Sequence, residues 1–153
     1  MMQRELLRLA TSLAADRTGQ PRWVARSRSV STAYYALFHA LADCCGRELI
    51  GARRPWPAFR HVYRSLDHGQ ARRVFMAVLK DTTFSDPARS LAEFFIELQS
   101  ERHSADYDPA YRITSSELTD LIGAVRNAID RLPALPPAER TLLAAKLIGR
   151  TRG

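Results

Sequence analysis

A dense run of polar side chains that could do chemistry begins at Arg102 and ends at Pro109. It reads Arg-His-Ser-Ala-Asp-Tyr-Asp-Pro, so a guanidinium, an imidazole, two carboxylates and a phenol fall within eight residues. A guanidinium suits phosphate, an imidazole can carry a proton, and carboxylates can hold a cation. The run follows an apolar stretch from Leu91 to Leu98. Such groups crowded at the end of a helix predict a binding or catalytic site.

Helical spacing of apolar residues predicts the elements that must position this segment. Helices are expected over about 2–17, 22–49, 57–67, 70–79, 88–104, 114 or 115 to 131, and 138–149. A turn is expected at 18–21, a connecting loop at 105–113 and a frayed end at 150–153. No segment shows sustained strand alternation. The sequence therefore predicts an all-α fold: an up-and-down bundle of four to five helices with a short extra C-terminal helix.

The length of 153 residues predicts one domain spanning 1–153. Its core is expected over about 2–132, with the accessory C-terminal helix at about 137–149. The long second helix supplies the clearest core stripe, because apolar residues recur in it at intervals of four, three, four and four residues: Val30, Tyr34, Leu37, Leu41 and Cys45. Phe38 is also expected to be buried.

Tyr35 and His39 lie on another face of the same helix. They are four residues apart and therefore share that face. The spacing leaves two interpretations open: the pair reaches the same site as Arg102, or it lines an interface between two subunits.

The chain is strongly basic. Lys and Arg number 23 against 16 Asp and Glu, a net charge of +7, and all of these cations except Lys80 and Lys146 are arginines. Arginine forks suit phosphate. This balance favours nucleic acid, nucleotides or an acidic protein as a partner and does not choose among them.

The positive charge is concentrated between Arg47 and Arg73, a stretch that contains seven arginines and only two acidic residues. Arg60, Arg64 and His68 recur every four residues and are expected to form one ridge. The tract is either an RNA- or nucleotide-binding flank or a solvated face. Trp56, which stands between two prolines, is expected to anchor its loop in the core, with an exposed stacking surface as the alternative.

The cysteines and the hydropathy of the chain indicate which disulfides, metal sites and membrane segments to expect. Cys44 and Cys45 are adjacent, and neighbours on a helix point about 100° apart, so both are expected to be reduced thiols. No Cys/His spacing resembles a zinc site, and no metal or cofactor is expected. The N-terminus lacks a signal-peptide apolar region, and no apolar run approaches the roughly 18 residues of a membrane span. A cytoplasmic location away from membranes is expected.

Two motifs, in this order and at this separation, resemble those of the small prokaryotic HEPN proteins. The first is Ala-Tyr-Tyr-Ala-Leu-Phe-His-Ala at 33–40, and the second is Arg-His-Ser-Ala-Asp-Tyr-Asp at 102–108. The similarity covers about residues 20–132. It implies a helical bundle that dimerises about its long helices. Many such relatives sit beside a minimal nucleotidyltransferase in toxin–antitoxin or phage-defence modules, and others are metal-independent RNases.

The RNase version of the motif has an arginine, a polar residue after it, and a histidine four to six residues beyond the arginine. Arg102 and His103 match the first two positions, whereas Tyr107 stands where the terminal histidine is expected. A phenol ordinarily has a pKa near 10 and is a poor base at neutral pH. The predicted site is a dimer cleft in which Arg102, His103 and Tyr107 perform any catalysis. The predicted contacts to nucleotide or RNA are Arg102, Tyr35, His39, Arg60 and Arg64.

Three functions stay open at this point. We favour a nucleotide- or RNA-binding partner of a nucleotidyltransferase because the terminal histidine is absent. A metal-independent endoribonuclease and a non-catalytic structural adaptor are the alternatives.

Within the segment, each side chain also has two interpretations. Arg102 either contacts phosphate or pairs with Asp106 or Asp108. His103 is either a substitute base or an exposed helix-end residue. Tyr107 is expected to pack the loop onto the bundle. The resemblance to HEPN proteins allows two other roles for its hydroxyl, a hydrogen-bond donor in the cleft or an acceptor of nucleotide transfer from a partner enzyme. Asp106 and Asp108 are expected to act as cap and turn residues rather than as metal ligands.

Overall fold

Helices form nearly all of the structure that a computed structural model describes, which covers residues 2–15 and 22–150. Within those ranges no strand occurs, and seven α-helices follow one another. They are α1 (Met2–Ala15), α2 (Arg22–Leu49), α3 (Trp56–Ser65), α4 (His68–Lys80), α5 (Asp86–Tyr107), α6 (Ser115–Arg131) and α7 (Pro137–Ile148), with a 3₁₀ turn at Leu132–Ala134. The all-α prediction is confirmed.

The described residues hold seven α-helices, so the predicted bundle of four to five helices with one short extra C-terminal helix has too few members. The short helices at about 57–67 and 70–79, which the periodicity predicted, are α3 and α4, and each buries an apolar side as the longer helices do. The predicted turn at 18–21 and the last three residues of the predicted frayed end lie outside the described residues. In the described part, no helix has the length and apolar character needed to cross a membrane.

Contacts between Cα atoms divide the chain into two compact units. The first unit holds Met1–Ala40 and Glu97–Asp130, and the second holds Leu41–Ile96 and Arg131–Gly153. Helices α2 and α5 therefore contribute residues to both. The expectation of one domain over 1–153 stays a prediction.

The first unit buries the N-terminal part of the α2 stripe. Val30 and Leu37 have no exposed surface, as predicted, whereas Phe38 is only half-buried. Ser29 is also fully buried, and its hydroxyl donates to the Ala10 carbonyl at 2.7 Å. This bond satisfies a polar group that would otherwise be costly inside the core, and it ties α1 to α2.

Helix α6 begins with a capping box, which the sequence pattern Thr114-x-x-Glu117 predicts. The Glu117 N–H donates to Thr114 Oγ1 at 3.1 Å, and the Thr114 N–H donates back to Glu117 Oε1 at 3.4 Å. Two backbone donors that would lack partners at the helix start are thereby satisfied.

The second unit is built around aromatic rings. Phe75 on α4 and Phe95 on α5 are fully buried, with ring centroids 4.7 Å apart. Gly46 lets the Phe59 ring approach α2, since a Cβ at that position would lie 2.5 Å from the ring. Gly51 follows the end of α2 with a φ of 124°, a backbone conformation that favours glycine.

Trp56 opens α3 and is 55 % exposed. Its ring stacks on Phe59 at a centroid distance of 5.8 Å. The prediction of a core anchor is wrong because Phe59, three residues later, takes the buried position of this helix.

The two adjacent cysteines are free thiols, as predicted; Cys44 is half-buried and Cys45 is buried. Burial raises the pKa of Cys44 to about 11 and raises the pKa of Cys45 as well. Both thiols therefore stay protonated, and poorly nucleophilic, at neutral pH.

Candidate functional site

Helix α5 continues to Tyr107, so the first half of the polar segment is helical. The prediction of a loop from 105 is wrong over its first residues. The Asp108 N–H still donates to the Ser104 carbonyl at 2.9 Å, which is the bond of a continuing helix. Residues four apart therefore share a face, and the segment has two faces, one with Arg102 and Asp106 and the other with His103 and Tyr107.

On the first face, several polar groups surround the Arg102 guanidinium. The Arg102 side chain is 18 % exposed. Its Nε lies 3.0 Å from Asp106 Oδ2, but no hydrogen bond forms there, so the contact is an ion pair. Its Nη2 donates to Tyr35 Oη at 2.9 Å. The Ser31 hydroxyl reaches the same Asp106 oxygen at 3.3 Å. The pairing of Arg102 with Asp106 is therefore confirmed, and the predicted cap or turn role of Asp106 is wrong because α5 extends past it.

Two tyrosine rings support the guanidinium from α2. The Arg102 Cζ lies 5.4 Å from the ring centroids of both Tyr34 and Tyr35, within the range of a cation–π contact. Tyr34 is fully buried, and Gln99 Nε2 donates to its hydroxyl at 3.2 Å. Burial raises the pKa of Tyr34 to about 12, which keeps this phenol neutral. The sequence placed Tyr34 in the core but gave no sign of its contact with Arg102.

The second face carries two exposed rings in contact. The His103 and Tyr107 rings have centroids 4.9 Å apart and an interplanar angle of 47°. His103 is exposed, and Tyr107 is 67 % exposed. The expectation that Tyr107 packs the loop onto the bundle is wrong. A pair of exposed rings at a helix end offers flat apolar surfaces together with hydrogen-bonding groups.

The chain after α5 is held by local hydrogen bonds. Asp108 accepts the backbone N–H two residues later at 2.8 Å, which confirms its predicted turn role. The Tyr111 hydroxyl donates to Glu101 Oε1 at 2.6 Å. Burial raises the pKa of Tyr111, and the neighbouring Glu101 carboxylate raises it further. Arg112 then lies over the Trp23 ring, 4.3 Å from its centroid. This exposed pair carries no sequence signal, because its two residues are distant in the chain and belong to no motif.

The predicted binding residues do not all gather at this site. Tyr35 contacts Arg102 directly. His39, one turn further along α2, is half-buried with its ring edge-on to Phe38 at 6.2 Å. Burial lowers the pKa of His39, which favours its neutral form.

Arg60 and Arg64 belong to the second unit, where both are exposed on α3. The predicted continuous ridge through His68 is wrong. Helix α3 ends at Ser65, Leu66 is extended, and His68 opens α4.

Residues 2–15 and 22–150 place no group of three or more His, Cys, Asp or Glu where it could hold a metal ion. No family model matches the chain, and no curated protein or solved structure matches it. The resemblance to HEPN proteins rests on the two motifs at 33–40 and 102–108 alone and stays a prediction.

Proposed function

We propose that the chain is a HEPN-type nucleotide- or RNA-binding protein that stacks RNA bases on the exposed His103–Tyr107 ring pair. One observation carries the proposal: both rings are solvent-facing and in contact at the end of a helix. Stacking on aromatic rings tolerates any sequence, since every base has a π-face. The net charge of +7 adds attraction to the phosphate backbone.

In this proposal Arg102 is a positioning residue rather than a phosphate ligand. Its charge is already matched by Asp106, and its Nη2 is bonded to Tyr35. These contacts fasten the last turn of α5 to α2. The rings of the neighbouring face are then presented on a rigid element, which lowers the entropy lost when a base stacks on them.

The biological setting follows from the resemblance alone. We place the protein as a homodimer in the cytoplasm, beside a minimal nucleotidyltransferase of a toxin–antitoxin or phage-defence module. A small nucleotidyltransferase gene next to this one, and its co-purification with this chain, would support that setting. Sedimentation of the purified chain as a monomer would contradict the dimer.

Fluorescence anisotropy with a labelled single-stranded RNA tests the binding surface. Tyr107→Ala and His103→Ala are each expected to weaken binding by about 5- to 100-fold, the effect of losing about 1–3 kcal/mol of stacking. Tyr111→Phe is the control, because Tyr111 is a tyrosine four residues after Tyr107 whose hydroxyl is bonded to Glu101, and this variant should bind as the wild type does. Wild-type affinity in Tyr107→Ala would contradict the proposal.

The same mixtures separate binding from cleavage. RNA recovered intact supports a binding protein. Metal-independent cleavage that disappears in His103→Ala would establish the endoribonuclease alternative instead. Absence of RNA binding at low salt would favour the structural adaptor.

A further inference from the structure

A hollow of about 600 Å³ lies in the second unit, where α3 turns into α4 beside the end of α7. This volume falls within the range of about 300–1,000 Å³ that is typical of small-molecule sites. Two guanidiniums and an imidazole line it, those of Arg64, Arg150 and His68. They come from the last turn of α3, the chain just after α7 and the first residue of α4. The fold therefore brings Arg150 beside Arg64 and His68, which lie far earlier in the chain.

The hollow is also partly apolar. Leu66, which is 7 % exposed, and Ile148, which is half-buried, contribute to its lining. Guanidinium forks recognise phosphate oxygens through paired hydrogen bonds. An apolar surface beside them suits a ligand whose phosphate is attached to a flat or apolar body.

Asp67 is the acidic member of the lining, and its carboxylate already has partners. Its Oδ1 accepts the N–H groups of Gly69 at 2.7 Å and Gln70 at 3.0 Å, so it caps α4. These backbone bonds, with the charges of Arg73 and Arg150, lower the pKa of Asp67. These two amides at the start of α4 are thus occupied, so side chains are the groups expected to hold an anion in the hollow. Two guanidiniums outnumber the one carboxylate there.

We infer that this hollow binds a small organic phosphate. Arg64 and Arg150 hold the phosphate group with His68 beside it, and the body of the ligand lies against Leu66 and Ile148. The inference is independent of the RNA surface proposed for the end of α5, because every residue involved belongs to the second unit.

Calorimetric or NMR titration with adenosine 5′-monophosphate tests the inference. Arg64→Gln and Arg150→Gln are each expected to weaken binding about tenfold or more, the usual effect of losing a charge-assisted hydrogen bond. Arg60→Gln is the matched control, since Arg60 is also exposed, lies one turn earlier on α3 and is outside the lining of the hollow. Equal losses in Arg60→Gln and Arg64→Gln would show general charge attraction and overturn the site.

A variant with the opposite expected effect guards against misfolding as an explanation. Asp67→Asn keeps a good capping residue while removing the carboxylate, so affinity for the nucleotide should rise about threefold. Unchanged or weaker binding in Asp67→Asn would contradict the inference.

The ligand class is tested with adenosine and inorganic phosphate. Adenosine should bind about tenfold more weakly than its monophosphate, and inorganic phosphate should also bind more weakly because it lacks an apolar body. Adenosine binding as tightly as the monophosphate, or no saturation by about 10 mM monophosphate, would overturn the inference. Labelled RNA that still binds while the monophosphate does not would overturn this inference alone, and the reverse result would overturn the RNA proposal alone.

Discussion

The end of α5 and the turn between α3 and α4 both combine arginine, histidine and aspartate, yet they use these residues in opposite ways. At the end of α5, Asp106 lies four residues after Arg102 on one helix and neutralises it. At the turn, the Asp67 carboxylate accepts a hydrogen bond from the backbone of α4, and Arg64 is exposed beside a hollow. The position of the carboxylate relative to the helix therefore decides whether the neighbouring arginine is structural or available to a ligand.

The largest expected contrast is in stability. Arg102→Ala should lower the free energy of unfolding by about 2 kcal/mol, because the Tyr34 and Tyr35 rings lose the guanidinium packed on them and the Tyr35 hydroxyl loses its donor. Arg64→Ala should change it by less than about 0.5 kcal/mol, as exposed substitutions usually do. Urea denaturation of both variants measures the difference. Similar losses in the two would remove the distinction between a structural and an available arginine.

A smaller contrast is expected between two tyrosines of the first unit. Tyr35→Phe keeps the ring beneath Arg102 but removes the hydroxyl that accepts from it, at a cost of about 1 kcal/mol. Tyr107→Phe should leave stability within about 0.5 kcal/mol of the wild type, because Tyr107 is mostly exposed. Thermal unfolding followed by circular dichroism compares them, and a larger loss for Tyr107→Phe would reverse the assignment of the two faces.

The helix caps of the two units should differ in their response to pH. Asp67→Ala and Thr114→Ala are each expected to cost about 1 kcal/mol at pH 7, since each removes an N-cap side chain. The pKa of Asp67 is lowered in the folded chain, so its contribution is fully present above the ordinary Asp value of about 4 and is lost as the pH falls through the folded value. The effect of Asp67→Ala should therefore shrink on acidification, whereas that of Thr114→Ala should not. Parallel urea titrations at neutral and acidic pH measure both, and equal pH dependence would contradict this assignment.

Local signals predicted most of the helices. The α2 stripe and the capping box of α6 depend on residues within a few turns of one another, and both are found where the sequence places them. The end of α5 could not be predicted in this way. Its last turn is fastened by Tyr35 and Ser31, which lie on another helix and are distant from it in the chain.

The candidate sites show the same division. The sequence identified the segment at 102–109 and Arg102 as a candidate site residue. The exposure of Tyr107 could not be predicted, because it depends on which face of the extended α5 meets α2. Arg64 and His68 looked like one ridge because their spacing is helical, and the break at Leu66 places them on different helices beside a common hollow. Arg150 joins them only through the folding of α7, which no spacing in the sequence reveals.

The proposed division of labour at the end of α5 is tested most directly by an NMR titration with a single-stranded RNA. Ring signals of His103 and Tyr107 and the Nε–H signal of Arg102 are followed together in the intact chain. Stacking predicts large shifts of both ring systems while the Arg102 signal, held in its ion pair with Asp106, stays in place. A shift of the Arg102 signal with both rings unmoved would contradict the proposal and make Arg102 the phosphate ligand.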